Sequence, residues 1–117
     1  MPNWTRGDVV RVDLEPARGS EPNKTRRPCV VIQNDTGNRF SPVTIVAAIT
    51  DEEQVPKRYP VDVPVKQGEG GLTKNSVVQC NLIRCIDGKR IVETIGKFSP
   101  KTMQEVDRAL KISLSLT

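Results

Sequence analysis

The sequence predicts a small, mostly antiparallel β-barrel capped by one C-terminal helix. Three observations point to it: many short β-branched segments separated by turn residues, a single amphipathic stretch near the C-terminal end, and no internal repeat or low-complexity run. With 117 residues, the chain has the size of one domain, spanning 1–117.

Residues 7–14 read as the first strand, because Val10, Val12 and Leu14 alternate with Arg11 and Asp13. Residues 15–27 contain Pro16, Gly19, Pro22 and Asn23, too many breakers for a regular element. They make a surface loop longer than the usual connection, and such loops tend to carry function. Its segment 18–27 sets Arg18, Lys24, Arg26 and Arg27 against Glu21 alone, so the loop is locally cationic. Residues 28–33 are apolar and β-branched, a second strand with its proline at the tolerated first position. Asn34-Asp35-Thr36-Gly37-Asn38 is turn chemistry.

Residues 43–50 are apolar on both faces, which predicts a central strand, and 51–58 form a charged loop. Pro60 and Pro64 demote 59–65 to an edge strand. Gly68-Glu69-Gly70-Gly71 is a flexible turn that lacks the Gly-Lys-Ser/Thr ending of a phosphate loop. Residues 76–86 and 89–97 flank Asp87-Gly88, a hairpin signal. Ser99 and Pro100 open a helix as N-cap and first helical residue. Met103, Val106, Leu110 and Leu114 then give it one apolar stripe.

Composition narrows the function. There are 18 Lys+Arg against 14 Asp+Glu, a formal net charge of +4, which suits phosphate binding. Aromatics are only 3%, too few for a broad base-stacking platform. The sequence contains no histidine, which excludes histidine acid–base chemistry, Ser-His-Asp triads and most catalytic zinc sites. Cys29, Cys80 and Cys85 sit among apolar residues and read as reduced thiols buried in the core. The longest apolar run, 45–49, is far too short to span a membrane, so a soluble, cytoplasmic protein is expected.

That leaves the cationic loop, its carboxylate and hydroxyls at strand ends. Arg27 stands at the loop–strand junction with its backbone fixed by Pro28. A planar, permanently charged guanidinium there suits a phosphate and its developing charge. An ion pair with Glu21 or Asp35 on the barrel rim suits it equally. Thr50 ends the most apolar strand, where its hydroxyl is placed either to donate to a phosphate oxygen or simply to favour the strand. Glu21 reads as a solvated loop acid or as a group orienting a substrate hydroxyl, and Asn34, Asp35 and Asn38 as turn-formers.

Gly7-Asp8-Val9-Val10, Asp13-Leu14 with Pro16, Gly19-Ser20-Glu21, Arg27-Pro28-Cys29-Val30-Val31-Ile32-Gln33-Asn34-Asp35, Gly37-Asn38-Arg39-Phe40-Ser41-Pro42 and Ile45-Val46-Ala47-Ala48-Ile49-Thr50 together resemble the MazF/PemK family of toxin ribonucleases. The resemblance continues through Ile83-Arg84-Cys85-Ile86-Asp87 and the terminal helix. It implies a small SH3-like barrel with a C-terminal helix, assembled as a homodimer. It also implies metal-independent, cofactor-free cleavage of single-stranded messenger RNA at short motifs, leaving a 2′,3′-cyclic phosphate and a 5′-hydroxyl. The catalytic arginine and threonine of the family fall on Arg27 and Thr50. The loop glutamate of the family falls on Glu21 and an RNA-contacting arginine on Arg6; Ser20, Lys24, Arg26, Asn38 and Arg39 are further RNA-binding candidates. An arginine is a poor base, and Glu21 is the loop carboxylate available to assist the 2′-hydroxyl. An acidic, partly disordered MazE-like antitoxin is the implied partner.

The chain departs from that pattern in one place: Leu82 stands where many relatives carry an RNA-contacting glutamine, with Gln79 and Asn81 nearby. This bears on base specificity more than on catalysis. Two other readings fit the same fold. A gyrase poison would need a tryptophan near the end of the terminal helix, but the chain ends Leu114-Ser115-Leu116-Thr117 and its only tryptophan is Trp4. A non-catalytic RNA-binding barrel would use the same cationic loop and leave RNA intact.

Overall fold

The computed structural model describes residues 4–14 and 26–116. These form six strands, β1 (Asp8–Val12), β2 (Arg27–Val31), β3 (Val43–Asp51), β4 (Asp62–Val65), β5 (Ser76–Asp87) and β6 (Ile91–Lys97), with helices α1 (Asp35–Phe40) and α2 (Pro100–Ser113). The sheet runs β4-β5-β3-β2-β1-β6 and every pairing is antiparallel. The apolar strand β3 lies inside the sheet and the proline-bearing β4 at its edge, as their compositions require.

Alternation along the strands builds two cores. Val9, Val30, Ala47, Ile49, Val78 and Cys80 face inward to meet Val106, Ala109 and Leu110 of α2. Val10, Val12, Cys29, Val31, Val46 and Ile86 face the other way and pack with Trp4 and Ile91. Helix α2 begins as the sequence predicts: the Ser99 hydroxyl caps Thr102 N–H at 3.2 Å and Pro100 occupies the first turn. Glu69 binds the same end, accepting Ser99 N–H and Ser99 Oγ, both at 3.1 Å, and also the Thr102 hydroxyl. Among the described residues no helix is long and apolar enough to cross a membrane.

Four expectations are corrected. Residues 34–38 open a short helix instead of a plain turn, because the Asn34 side chain caps Gly37 N–H at 2.7 Å and Asn38 anchors the segment inside. The segments around Asp87-Gly88 do not pair as a hairpin, since β6 hydrogen-bonds to β1. There Asp87 caps Lys89 N–H at 2.8 Å in a 3-10 turn, Gly88–Arg90, and Gly88 N–H binds the Pro42 carbonyl at 2.8 Å. Gly88 has no positive φ; it is small because a Cβ would sit 2.2 Å from the Trp4 ring. Cys85 is exposed, unlike Cys29 and Cys80, on β5 opposite Ile45, which is itself only half-buried. Leu114 leaves the buried stripe, 49% exposed just past the end of α2.

The two edge strands, β4 and β6, share no ladder. Their gap is filled by the turn Glu69–Gly71 packed backbone to backbone on β6. A Cβ on Gly71 (φ +78°) would lie 2.0 Å from the Ile95 carbonyl oxygen, and one on Gly96 would lie 2.3 Å from the Gly70 backbone. Glycine is required at this contact by both space and conformation.

Candidate active site

Arg27 is the first residue of β2 and Thr50 the penultimate residue of β3. Cys29 pairs with Ala48, and carrying that register two residues further sets Arg27 level with Thr50 on neighbouring strands. By the same alternation their side chains share the face of Cys29 and Ala48. Both residues also form part of the wall of an open cavity of about 310 Å³ at that end of the barrel, together with Arg11, Gln54, Thr73, Lys74 and Ser76.

Arg27 Nε is buried without a hydrogen-bond partner, and no ion pair among the described residues uses this guanidinium. Asp35, one partner open to it from the sequence, is instead taken by Arg6 N–H at 2.7 Å and Asn38 Nδ2 at 3.1 Å. Those two hydrogen bonds, the backbone one foremost, hold the Asp35 carboxyl below its ordinary range. Cys29, beside Arg27, is pushed up to about 12 by burial, against the opposing pull of Arg27 and Arg84. The thiol is therefore neutral at physiological pH and leaves the guanidinium charge uncompensated. Asp51, next along β3, is engaged elsewhere: the Glu53 backbone N–H lowers its pKa foremost, and Lys74 bridges it at 3.3 Å.

The other candidates scatter. Ser20, Glu21 and Lys24 lie outside the described residues. Arg26 is exposed beside Arg27, in a left-handed conformation (φ +63°) that is uncommon for a residue with a side chain. Arg6 lies away from the cavity, its Nε bound to the Ile32 carbonyl at 2.8 Å and its Nη2 to Asp107 at 2.6 Å. Asn38 is 1% exposed; it accepts from Thr44 Oγ1 at 2.6 Å and from Gln33 Nε2 at 3.0 Å. Arg39 is exposed and stacks over Phe40, 5.6 Å from the ring centre. Gln54, Thr73 and Lys74 join the cavity without any warning in the sequence, where they read only as loop residues. Among the described residues no group of three His, Cys, Asp or Glu side chains is placed to hold a metal ion.

What the site offers is an unpaired guanidinium and a hydroxyl held by adjacent strands, an arrangement suited to a phosphate. A family model described as PemK-like, MazF-like toxin of type II toxin-antitoxin system matches residues 5–114. The endoribonuclease MazF of Staphylococcus epidermidis is 48% identical over 111 residues, covering 95% of this chain and 91% of that protein. The fold is likewise that of a mycobacterial endoribonuclease solved in complex with its cognate antitoxin (TM-score 0.80, 21% identity, 97% of each chain). It is shared too by MazF from Deinococcus radiodurans (TM-score 0.79, 23% identity, 96% of each chain). The blocks that carry the sequence resemblance, the barrel with its terminal helix and the match across 5–114 agree: the chain belongs to the PemK-like, MazF-like toxins of type II toxin–antitoxin systems.

Proposed function

We propose that this toxin is an endoribonuclease that cuts single-stranded RNA without a metal, with Arg27 and Thr50 as its catalytic pair. The observation that carries the reading is that a partnerless Arg27 guanidinium and Thr50 line one open cavity at neighbouring strand ends. In the reaction the ribose 2′-oxygen bonds to the neighbouring phosphorus and the bond from phosphorus to O5′ breaks. The 2′-hydroxyl proton is lost, the departing O5′ gains one, and the ends are a 2′,3′-cyclic phosphate and a 5′-hydroxyl. Arg27 stabilises the extra charge on the five-coordinate phosphate, and Thr50 donates a hydrogen bond to a non-bridging oxygen.

The name of the staphylococcal relative supports RNA as substrate. The mycobacterial structure with its antitoxin supports a protein partner, which here is acidic and covers the cationic loop. The apolar face formed by half-buried Ile32, Ile45 and Ile83 and exposed Leu114 and Leu116, around a groove of about 520 Å³, suits a second copy of the chain and hence a homodimer. A messenger-RNA substrate implies action in the cytoplasm.

The test is to incubate the protein with long single-stranded RNA in EDTA and map new 5′ ends. Discrete cuts at one short motif are expected, reduced about 10²–10³-fold in Arg27→Ala and strongly reduced in Thr50→Ala. Intact RNA, or undiminished cutting by Arg27→Ala, would overturn the reading. RNA that is bound but stays intact would identify a binding barrel instead.

A further inference from the structure

A second guanidinium without a partner faces the same side of the sheet as Arg27. Arg84 lies on β5 opposite Val46, and a bulge puts it there. Gln79 pairs with Ala48 while Ile83 pairs with Ala47, so β5 carries Cys80, Asn81 and Leu82 unmatched at that point. An odd number of extra residues reverses the alternation of side chains. Ile83 accordingly turns to the first core, and Arg84 turns to the face of Val46, Ala48 and Thr50. With regular pairing, Arg84 would point to the opposite side.

On this face Arg27 and Thr50 form one row, Cys29 and Ala48 the next, and Val31, Val46 and Arg84 the third. Four residues of β3 separate the outer rows, about 13 Å at the usual strand rise. Arg84 Nη1 is buried with no hydrogen-bond partner, the same condition as Arg27 Nε. No ion pair among the described residues uses Arg84. A buried cationic donor left unmatched is costly, and two on one face make a site that anions complete. Between them lies the buried Cys29 thiol, which feels both positive charges. Neutral, it quenches neither.

We propose that Arg84 holds a second phosphate of the bound RNA strand, a nucleotide or two from the bond that Arg27 acts on, and so fixes the strand beside the Arg27 cavity. This rests on the ribonuclease reading and adds a binding residue to it. Successive phosphates of one strand are anions at nearly fixed spacing, which matches two fixed cations better than separate ions do.

The test uses a short RNA spanning a mapped cut, with a 2′-O-methyl group on the ribose that would attack, so that it binds uncut. Arg84→Gln is expected to weaken binding about tenfold, and the slope of log affinity against log salt falls by about 0.7, the single-strand value for one phosphate contact. Arg84→Lys keeps the slope. With cleavable RNA, the loss in Arg84→Gln falls on KM. In the unsubstituted protein the Arg84 Nε–Hε resonance shifts as the RNA is added, a readout that needs no variant to fold. A folded Arg84→Gln with unchanged affinity and slope, or a stationary Arg84 resonance, overturns this proposal and leaves cutting by Arg27 standing. If the unsubstituted protein binds long single-stranded RNA but never cuts it in EDTA, the ribonuclease reading fails, and the same affinity, slope and resonance measurements on that bound RNA decide the contact. If it neither binds nor cuts, both fail.

Discussion

Residues with similar sequence credentials turn out to have different jobs. Arg27 and Asn38 both belong to the blocks that carry the family resemblance. Arg27 keeps a buried donor unmatched, whereas Asn38 is 1% exposed and spends its amide on Thr44, Gln33 and Asp35. Asn38→Ala strands the buried Thr44 hydroxyl, so it should cost about 2–3 kcal/mol, read as a lower denaturation midpoint in urea. The cysteines divide in the same way. Burial pushes both Cys29 and Cys80 up to about 12, while Cys85 is exposed. A thiol reagent at pH 8 should label Cys85 alone in the native protein and all three cysteines after denaturation, counted by intact mass. The raised values also set a pH window. Stability is untouched below about pH 9, where thiols are protonated folded or unfolded, and declines from pH 9 to 12 because only the unfolded chain gives up those protons readily. Thermal melts across that range should show it, and Cys80→Ala should flatten the decline.

Secondary elements were most legible where local chemistry and tertiary packing agree. The start of α2 at Ser99 and Pro100, the edge position of β4 and the interior position of β3 all follow from residues within the elements themselves. The hairpin expected at Asp87-Gly88 failed because the glycine serves Trp4, more than eighty positions away in the chain, and local pattern carries no trace of that contact. Asn34 was legible as a polar side chain binding its own backbone, but whether a turn or a helix follows depends on where Asn38 is buried. The site divides likewise. Of the proposed site, Arg27 and Thr50 could be named from the sequence, whereas the direction of Arg84 could not, because it depends on a register shift in β5. At this scale the turn Glu69–Gly71 is the sharpest test. Gly96→Ala drives a Cβ into the Gly70 backbone and should cost about 1–3 kcal/mol. Trimming the exposed neighbouring side chain, Lys97→Ala, should cost less, and thermal melting reads both. Glu69 matters there too. Burial works to raise its pKa, but hydrogen bonds from Thr102 and Ser99 outweigh it and hold the carboxyl low.

The whole molecule presents two surfaces of opposite character: a sheet face with unmatched arginines and an apolar face at the end of α2. Leu116 is 66% exposed and Leu114 49% on the latter, neighbouring apolar side chains of the kind that mark a contact surface. The homodimer proposed on this face predicts a dimeric mass that Leu114→Asp shifts toward monomer in light scattering; a monomeric unsubstituted protein, or a mass unchanged by the substitution, would overturn it. Binding of an acidic antitoxin should weaken as salt rises if charge governs it.

The closure between β4 and β6, which rests on glycine contacts with no ladder across it, has a further consequence for motion. Deuterium should enter the backbone first along β6 and the Glu69–Gly71 turn, where amides lack a second strand to shield them. Strands β2 and β3 are laddered on both sides and should exchange last. The barrel can thus breathe along one wall while the strand ends bearing Arg27 and Thr50 hold their spacing. Any protease or chaperone that seizes a transiently opened molecule would gain entry along β6 and the Glu69–Gly71 turn, where Gly71 and Ile95 wall the cavity shared with Arg27 and Thr50.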